Sequence, residues 1–259
     1  AASEFACSSG TNIPTGHDSL SMTQKYGAEK VLSPGTVIIS AGAEVSDVKK
    51  IVSPVLVHDK NTYIYYIDFS FDSLKLGGSA FAQTLNKLGN EVPTVKDAEY
   101  FRDAFNSVQE LIEKGLVLAG HDISAGGMIT TLLEMCFANV EGGLEVNLDT
   151  IAEEDIVKIL FAENPGIVIQ VKDKHKDEIS KLLEDAGVGF VKTGKPTDER
   201  HILVTKGEAT YQFGIDYMRD VWYSSSYLLD RKQSMNGCAK KRFENFRMQP
   251  IETVFAPSF

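Results

Sequence analysis

The chain has 259 residues, 43% hydrophobic and 24% charged, which suits one large globular domain or one domain with attached pieces. A net charge of −10 opposes a nucleic-acid grip built on phosphate neutralisation, and no apolar run is long enough to cross a bilayer. The three cysteines, Cys7, Cys136 and Cys238, lie far apart with no CxxC pair; that fits neither a zinc site nor a disulfide framework and sets a reducing, cytoplasmic setting as the expectation.

In chain order, the opening AASEFACSSGTNIP carries no charged-then-apolar leader. It reads as the last turns of a helix running into a strand-like TNIPTG and the loop HDSLSM. Nothing in residues 1–25 can bury both its faces, so this stretch is expected to belong to a neighbouring domain, and the chain to be a piece of something longer. From residue 30 to 206 strand and helix signals alternate. TVIISAGAEV (36–45) and TYIYYIDFSF (62–71) are β-branched and aromatic runs of strand length. GGSAFAQTLNKLG (77–89) predicts a helix with a close-packed start. In EYFRDAFNSVQELIEKG, Phe101, Ala104, Phe105, Val108, Leu111 and Ile112 recur at the spacing of a helix's buried stripe.

After LVLAGHDIS comes a second such helix, with Met128, Leu132, Met135 and Cys136 on one face. GLEVNL reads as a strand, EEDIVKILFAE as a helix and GIVIQV (166–171) as a buried strand. KHKDEISKLLEDAG is an amphipathic helix through Ile179, Leu182, Leu183 and Ala186, and HILVT (201–205) is a closing strand. The sum is an α/β (α+β) domain, a mixed sheet with helices packed on it. Residues 213–245 read as one long helical stretch with Ile215, Met218, Trp222 and Leu229 along one stripe. Its basic cluster, CAKKRFENFR at 238–247, reads as a solvated helix face.

The stretch AGHDISAGGM (119–128) concentrates candidate chemistry. At a strand's end before a helix, backbone N–H groups and the helix dipole favour an anion, and glycines let it approach. A carboxylate there, Asp122, repels a bare phosphate but suits one bridged by Mg²⁺, which prefers one or two carboxylates plus phosphate oxygens and water. Ser124 would then contact the nucleotide. The competing reading makes Asp122 or Ser124 a helix N-cap, with Gly126 and Gly127 allowing tight helix–sheet packing. His121 is either a base or ligand, or a hydrogen-bonded structural residue. LGGSAFAQ (76–83) is a second glycine-led helix start able to receive an anion. In TGHDSLSM (15–22), adjacent His, Asp and Ser point in alternating directions and cannot form a relay triad.

GHDISAGGMITTLLEMCFAN resembles the His-Asp-x-Ser-x-Gly-Gly-(Leu/Met) junction of the phosphoribosylformylglycinamidine synthase family. IPTGHDSLSM is similar to the family's Gly-Lys-Asp-Ser-(Leu/Met)-Ser-Met segment. GTVIISAGAEVSDV, LGGSAFAQ, FAENPGIVIQV and MRDVWYSSSYLLDRKQ match in the same order, and the terminal segment disfavours the smaller aminoimidazole ribonucleotide synthetase. The resemblance implies the second C-terminal α/β domain of the aminoimidazole-ribonucleotide-synthetase type at residues 26–206. Residues 1–25 would be the tail of the preceding ATP-binding domain. Residues 207–259 would be a helical extension leading toward a glutaminase domain.

The implied enzyme is a ligase of purine biosynthesis, a glutamine amidotransferase. It converts formylglycinamide ribonucleotide, ATP and glutamine-derived ammonia to the amidine; ATP activates the formamide oxygen and ammonia displaces the phosphate. By the same resemblance Asp122 takes the family's Mg²⁺-binding position and Ser124 its nucleotide-contacting one, in an auxiliary ATP/ADP site. Gly16 would border the nucleotide and Ser19 the ribonucleotide substrate. Implied partners are the N-terminal synthase domains and the glutaminase domain, with no nucleic acid and no membrane. The chain alone is expected to be inactive. Two departures stand out: His17 replaces a usual lysine, and Ala125 a frequent aspartate. The alternative is a structural or interaction module that packs on partner domains without a ligand of its own.

Overall fold

The protein is described from a computed structural model covering residues 2–16, 23–32 and 37–245. It divides into two units, residues 1–51 and residues 52 onward. The first holds helix α1 (Ala2–Ser9) and an antiparallel hairpin of β1 (Thr23–Tyr26) and β2 (Glu29–Leu32), whose two-residue loop starts with Gly27 at φ +62°. The strand expected at 36–45 does not form across 37–45: these residues are exposed and join no ladder among the described residues. A β-branched run becomes a strand only where a neighbour takes its backbone hydrogen bonds, and none does here. The strand-like TNIPTG, residues 11–16, is likewise without a ladder.

The second unit is a seven-stranded mixed sheet with helices on both faces. In chain order it contains β3 (Thr62–Asp68), α2 (Ala80–Thr84), α3 (Ala98–Glu113), β4 (Val117–Asp122), α4 (Gly127–Phe137) and β5 (Gly143–Asn147). There follow α5 (Ile156–Phe161), β6 (Gly166–Lys172), α6 (Lys176–Asp185), β7 (Phe190–Thr197), β8 (His201–Lys206) and β9 (Ala209–Gly214). Two helices, α7 (Ile215–Gln233) and α8 (Cys238–Glu244), end the described chain. The sheet order is β4-β6-β3-β7-β5-β8-β9; β5 and β8 run parallel and the other neighbours antiparallel.

Period-2 alternation sorts β3 cleanly. Ile64 and Tyr66 face one core with α4, α5 and the start of α7, whereas Tyr65 and Ile67 face the other with α3 and α6. The stripes of α3, α4 and α6 hold, with the exceptions of Phe105 and Ala186, which are exposed. Buried Gln170 of β6 accepts from the Val57 N–H (2.8 Å) and donates to the Val57 carbonyl (2.7 Å) and Thr62 Oγ1 (2.8 Å). It thereby pins residues 52–57 across the edge strand, where the Gly120 N–H also donates to the Ser53 carbonyl at 3.1 Å.

Three expectations need correction here. The helix at 77–89 shrinks to α2, because the chain returns so closely over Gly77 that a Cβ there would sit 2.2 Å from the Glu91 carbonyl oxygen. The long helix at 213–245 is two helices separated by residues 234–237, where Ser234 is extended and Gly237 has φ +85°; Ile215 and Met218 join the core, but Trp222 and Leu229 are exposed. β7 and β9 were not expected at all. β7 is central, yet it carries Gly194, against which the Glu145 carbonyl packs, and Pro196 opposite Leu144, residues that argue against a central strand.

Candidate functional site

The site is built where β4 ends. In the register of the sheet Asp122 lies opposite Ile167 and Asp68 opposite Gly166, so both aspartates leave the same end of the sheet. The main chain of Asp122 is held tightly. Its carbonyl accepts from Thr131 Oγ1 at 2.9 Å and lies 3.0 Å from His121 Nδ1, and the next N–H, that of Ile123, donates to the Gly166 carbonyl at 2.8 Å. Its side chain is 73% exposed. Among the described residues, the only ion-pair neighbour of this carboxylate is His121, whose Nδ1 lies 3.3 Å from Oδ1. Ser124 is exposed two residues on, its carbonyl accepting from the Gly127 N–H in the turn that starts α4.

Neither Asp122 nor Ser124 caps α4. The cap position is Gly126, in the left-handed region at φ +92° with no side-chain cap. Gly127, at φ +71°, lies where a Cβ would come within 2.7 Å of the Leu160 carbonyl and the Phe161 backbone. The paired glycines thus allow α4 to pack directly on α5. The anion place at the helix start is filled from within the chain: Glu163 Oε1 accepts from the Gly126 N–H (2.8 Å) and from the Ala80 N–H at the start of α2 (2.7 Å). One carboxylate therefore serves both glycine-led helix starts, and neither first N–H is left for a phosphate. Sequence reasoning missed Glu163, although it stands in the quoted FAENPG. Beside it, buried Asn164 accepts from the Lys75 N–H and donates to the Ser73 carbonyl, tying the loop after β3 to the same corner.

His121 is hydrogen-bonded rather than free. Its Nε2 lies 3.1 Å from Glu134 Oε2 on α4, and Glu134 Oε1 accepts from Trp222 Nε1 on α7 at 2.9 Å. At the end of β3, burial and then the adjacent Asp68 push the Tyr66 phenol well above its ordinary range, and Lys75 holds the Asp72 carboxyl low. Next to Asp122 an open groove of about 340 Å³ has Val52, Pro54, Val108 and Ile112 in its walls and His121 and Asp122 at its rim. Cys136 packs in the core as expected, and burial pushes its thiol up to about 12.

Among the described residues no three His, Cys, Asp or Glu side chains converge as a metal centre. What Asp122 offers is a single, hard, accessible oxygen ligand, which matches the one or two carboxylates Mg²⁺ takes when phosphates and waters complete its shell. Gly16 belongs to the first unit, exposed, with open space where a Cβ would stand. Ser19 and His17 lie outside the described residues.

Residues 70–206 match the family model described as "AIR synthase related protein, C-terminal domain". The chain belongs to that family. The matched stretch holds the β4–α4 junction, strands β4 to β8 and helices α2 to α6, while β3 and β9 flank it. A probable phosphoribosylformylglycinamidine synthase, chloroplastic/mitochondrial, of Arabidopsis thaliana is 34% identical over 264 residues, covering 100% of this chain and 19% of the relative. The phosphoribosylformylglycinamidine synthase of Homo sapiens is 33% identical over 243 residues, covering 92% and 18%. The chain thus spans about a fifth of the length of these relatives.

Among solved structures, Thermotoga maritima PurL complexed with FGAR superposes with a TM-score of 0.54 at 16% identity, over 66% of this chain and 30% of that one. PurL complexed with ATP superposes with a TM-score of 0.52 at 14% identity, over 65% and 27%. These likenesses establish the fold: a mixed sheet flanked by helices, followed here by two C-terminal helices. No described helix is long and apolar enough to cross a membrane.

Proposed function

We propose that the chain is part of a phosphoribosylformylglycinamidine synthase and contributes one wall of an auxiliary Mg–nucleotide site. In this reading the whole protein is the ATP- and glutamine-dependent ligase of purine biosynthesis, and its other domains supply the remaining ligands. Asp122 is the Mg²⁺ ligand, and Ser124 contacts the nucleotide. Gly16 and Ser19 border ATP and the ribonucleotide substrate. Residues 1–25 are the tail of the preceding ATP-binding domain, 26–206 the synthetase-type domain, and 207–259 the approach to the glutaminase domain.

The observation that carries the reading is the state of Asp122. A carboxylate with no capping duty and, among the described residues, no lysine or arginine on it, held by its main chain and exposed to water, is poised for an external cation. Two features of the junction refine the older expectation. Because Glu163 takes one N–H at each helix start and brings its negative charge there, the nucleotide's negative oxygens meet the cation rather than those N–H groups. The groove beside Asp122, with apolar walls and a charged rim, suits a flat base with a charged tail.

The role of the cation is electrostatic: it neutralises and orients the diphosphate. This chain's own part is to hold one ligand rigid at the end of β4. Melting the protein with and without Mg–ADP tests this, since a ligand bound only by the folded state raises the midpoint. Wild type should gain stability with Mg–ADP, and Asp122→Ala should gain none. The same chain should show no turnover of formylglycinamide ribonucleotide; measurable turnover would contradict the partial-site reading. A second reading, an interaction module without a ligand, is favoured by the exposed Tyr217, Val221 and Leu229 on α7. Light scattering that finds a monomer at every concentration counts against it.

A further inference from the structure

Asp122 is the end of a chain of polar contacts that starts on a different element. The indole of Trp222 on α7 can only donate, so Glu134 Oε1, 2.9 Å away, is its acceptor. That leaves Glu134 Oε2 facing His121 Nε2 at 3.1 Å. The other ring nitrogen, Nδ1, lies against the Asp122 carbonyl (3.0 Å) and carboxylate (3.3 Å). The inner members are well shielded: the His121 side chain is 18% exposed and that of Glu134 24%, against 73% for Asp122. Trp222 itself is seated against Phe137 of α4, ring centroids 5.8 Å apart.

A carboxylate with a neighbour on each oxygen is restrained, and it restrains in turn the imidazole that it faces. Groups that stand behind a metal ligand in this way fix its geometry, and their loss commonly weakens metal binding by about 10–100-fold. Glu134 touches neither the cation position nor the groove. We propose that Glu134 is the positioning residue of the Asp122 cation site, acting through His121, and that α7 is part of the site's support through Trp222. The inference rests on the reading of Asp122 as a cation ligand and goes beyond it. It makes α7 a determinant of cation affinity at the far end of α4, with no direct contact.

The test uses the whole chain, with Mn²⁺ alone as the probe and NMR as the readout. Trp222→Phe removes the indole N–H but keeps an aromatic ring on Phe137; Glu134→Ala removes the bridge itself. Long-range ¹H–¹⁵N spectra of the histidine rings, with His121 assigned by His121→Asn, should show the His121 nitrogens displaced in both variants. The Mn²⁺ concentration that half-broadens the Asp122 amide should rise about tenfold in each, while the far-UV spectrum stays unchanged. His121 ring signals that stay put in both variants would overturn the inference, because a tether between α4 and α7 with no positioning role predicts that outcome. Equal Mn²⁺ requirements in wild type and variants would overturn it while leaving the reading of Asp122 intact. Failure of Mn²⁺ to broaden the wild-type Asp122 amide would sink the cation reading and the inference with it.

Discussion

Residues 166–172 and residues 37–45 read alike as sequence: short, β-branched, bounded by glycine or serine. Their fates differ completely. The first, β6, pairs with β4 on one side and β3 on the other, and Val168, Ile169 and Val171 are buried. The second pairs with no strand among the described residues, and Val37 and Ile38 are 79% and 86% exposed. Propensity marks a segment as able to be a strand; a partner on each edge and a helix on each face make it one. The candidate site sits on the first kind of segment, since the start of β6 anchors both Asp122 and Ile123.

The contrast can be broken experimentally, and the largest effect should be chemical protection. Cys136 packs in the core beside α5 with its thiol held protonated by burial, whereas Cys7 in the first unit is exposed. Because the thiolate is the reactive form, a thiol reagent near pH 8 should label Cys7 readily. It should label Cys136 more slowly by about a thousandfold or more, reaching it only through unfolding. Raising the pH toward 10 deprotonates an ordinary thiol but leaves Cys136 largely neutral, so the gap should persist. Peptide mass spectrometry after timed quenching reads both rates, and comparable labelling would show that the core is not closed.

Next comes a paired substitution. Ile169→Ala in β6 deletes a fully buried side chain and should cost about 2–5 kcal/mol in denaturant unfolding. Ile38→Ala should stay within about 0.5 kcal/mol, as substitutions at exposed sites do. Equal losses would mean that residues 37–45 are covered in solution. A smaller effect is expected at the junction itself. Gly127→Ala puts a Cβ within 2.7 Å of the α5 backbone at a residue with φ +71° and should cost about 1–3 kcal/mol by the same unfolding measurement. A neutral result would mean that α4 and α5 pack less closely than described.

Much of this architecture was legible before any coordinates. The stripes of α3, α4 and α6 and the strands β3, β5, β6 and β8 are local periodicities, and local periodicity survives in sequence. β7 was hidden because Gly194 and Pro196 are explained by what packs against that strand, not by their neighbours in the chain. The site divides in the same way. Asp122 and Ser124 stand in one short stretch and could be named from resemblance. Glu163 meets Gly126 across 37 residues, and Trp222 meets Glu134 across 88, so no spacing rule reaches either. The expectation that glycines at the junction receive a phosphate was a local inference about backbone that the fold had already committed elsewhere.

The central proposal is that the exposed carboxylate of Asp122 binds a divalent cation together with a nucleotide's phosphates. Isothermal titration of the chain with Mg–ADP, wild type beside Asp122→Ala, measures it most directly. The account predicts a weak, saturable heat in the wild type that disappears in the variant. The same heat from both proteins would contradict it.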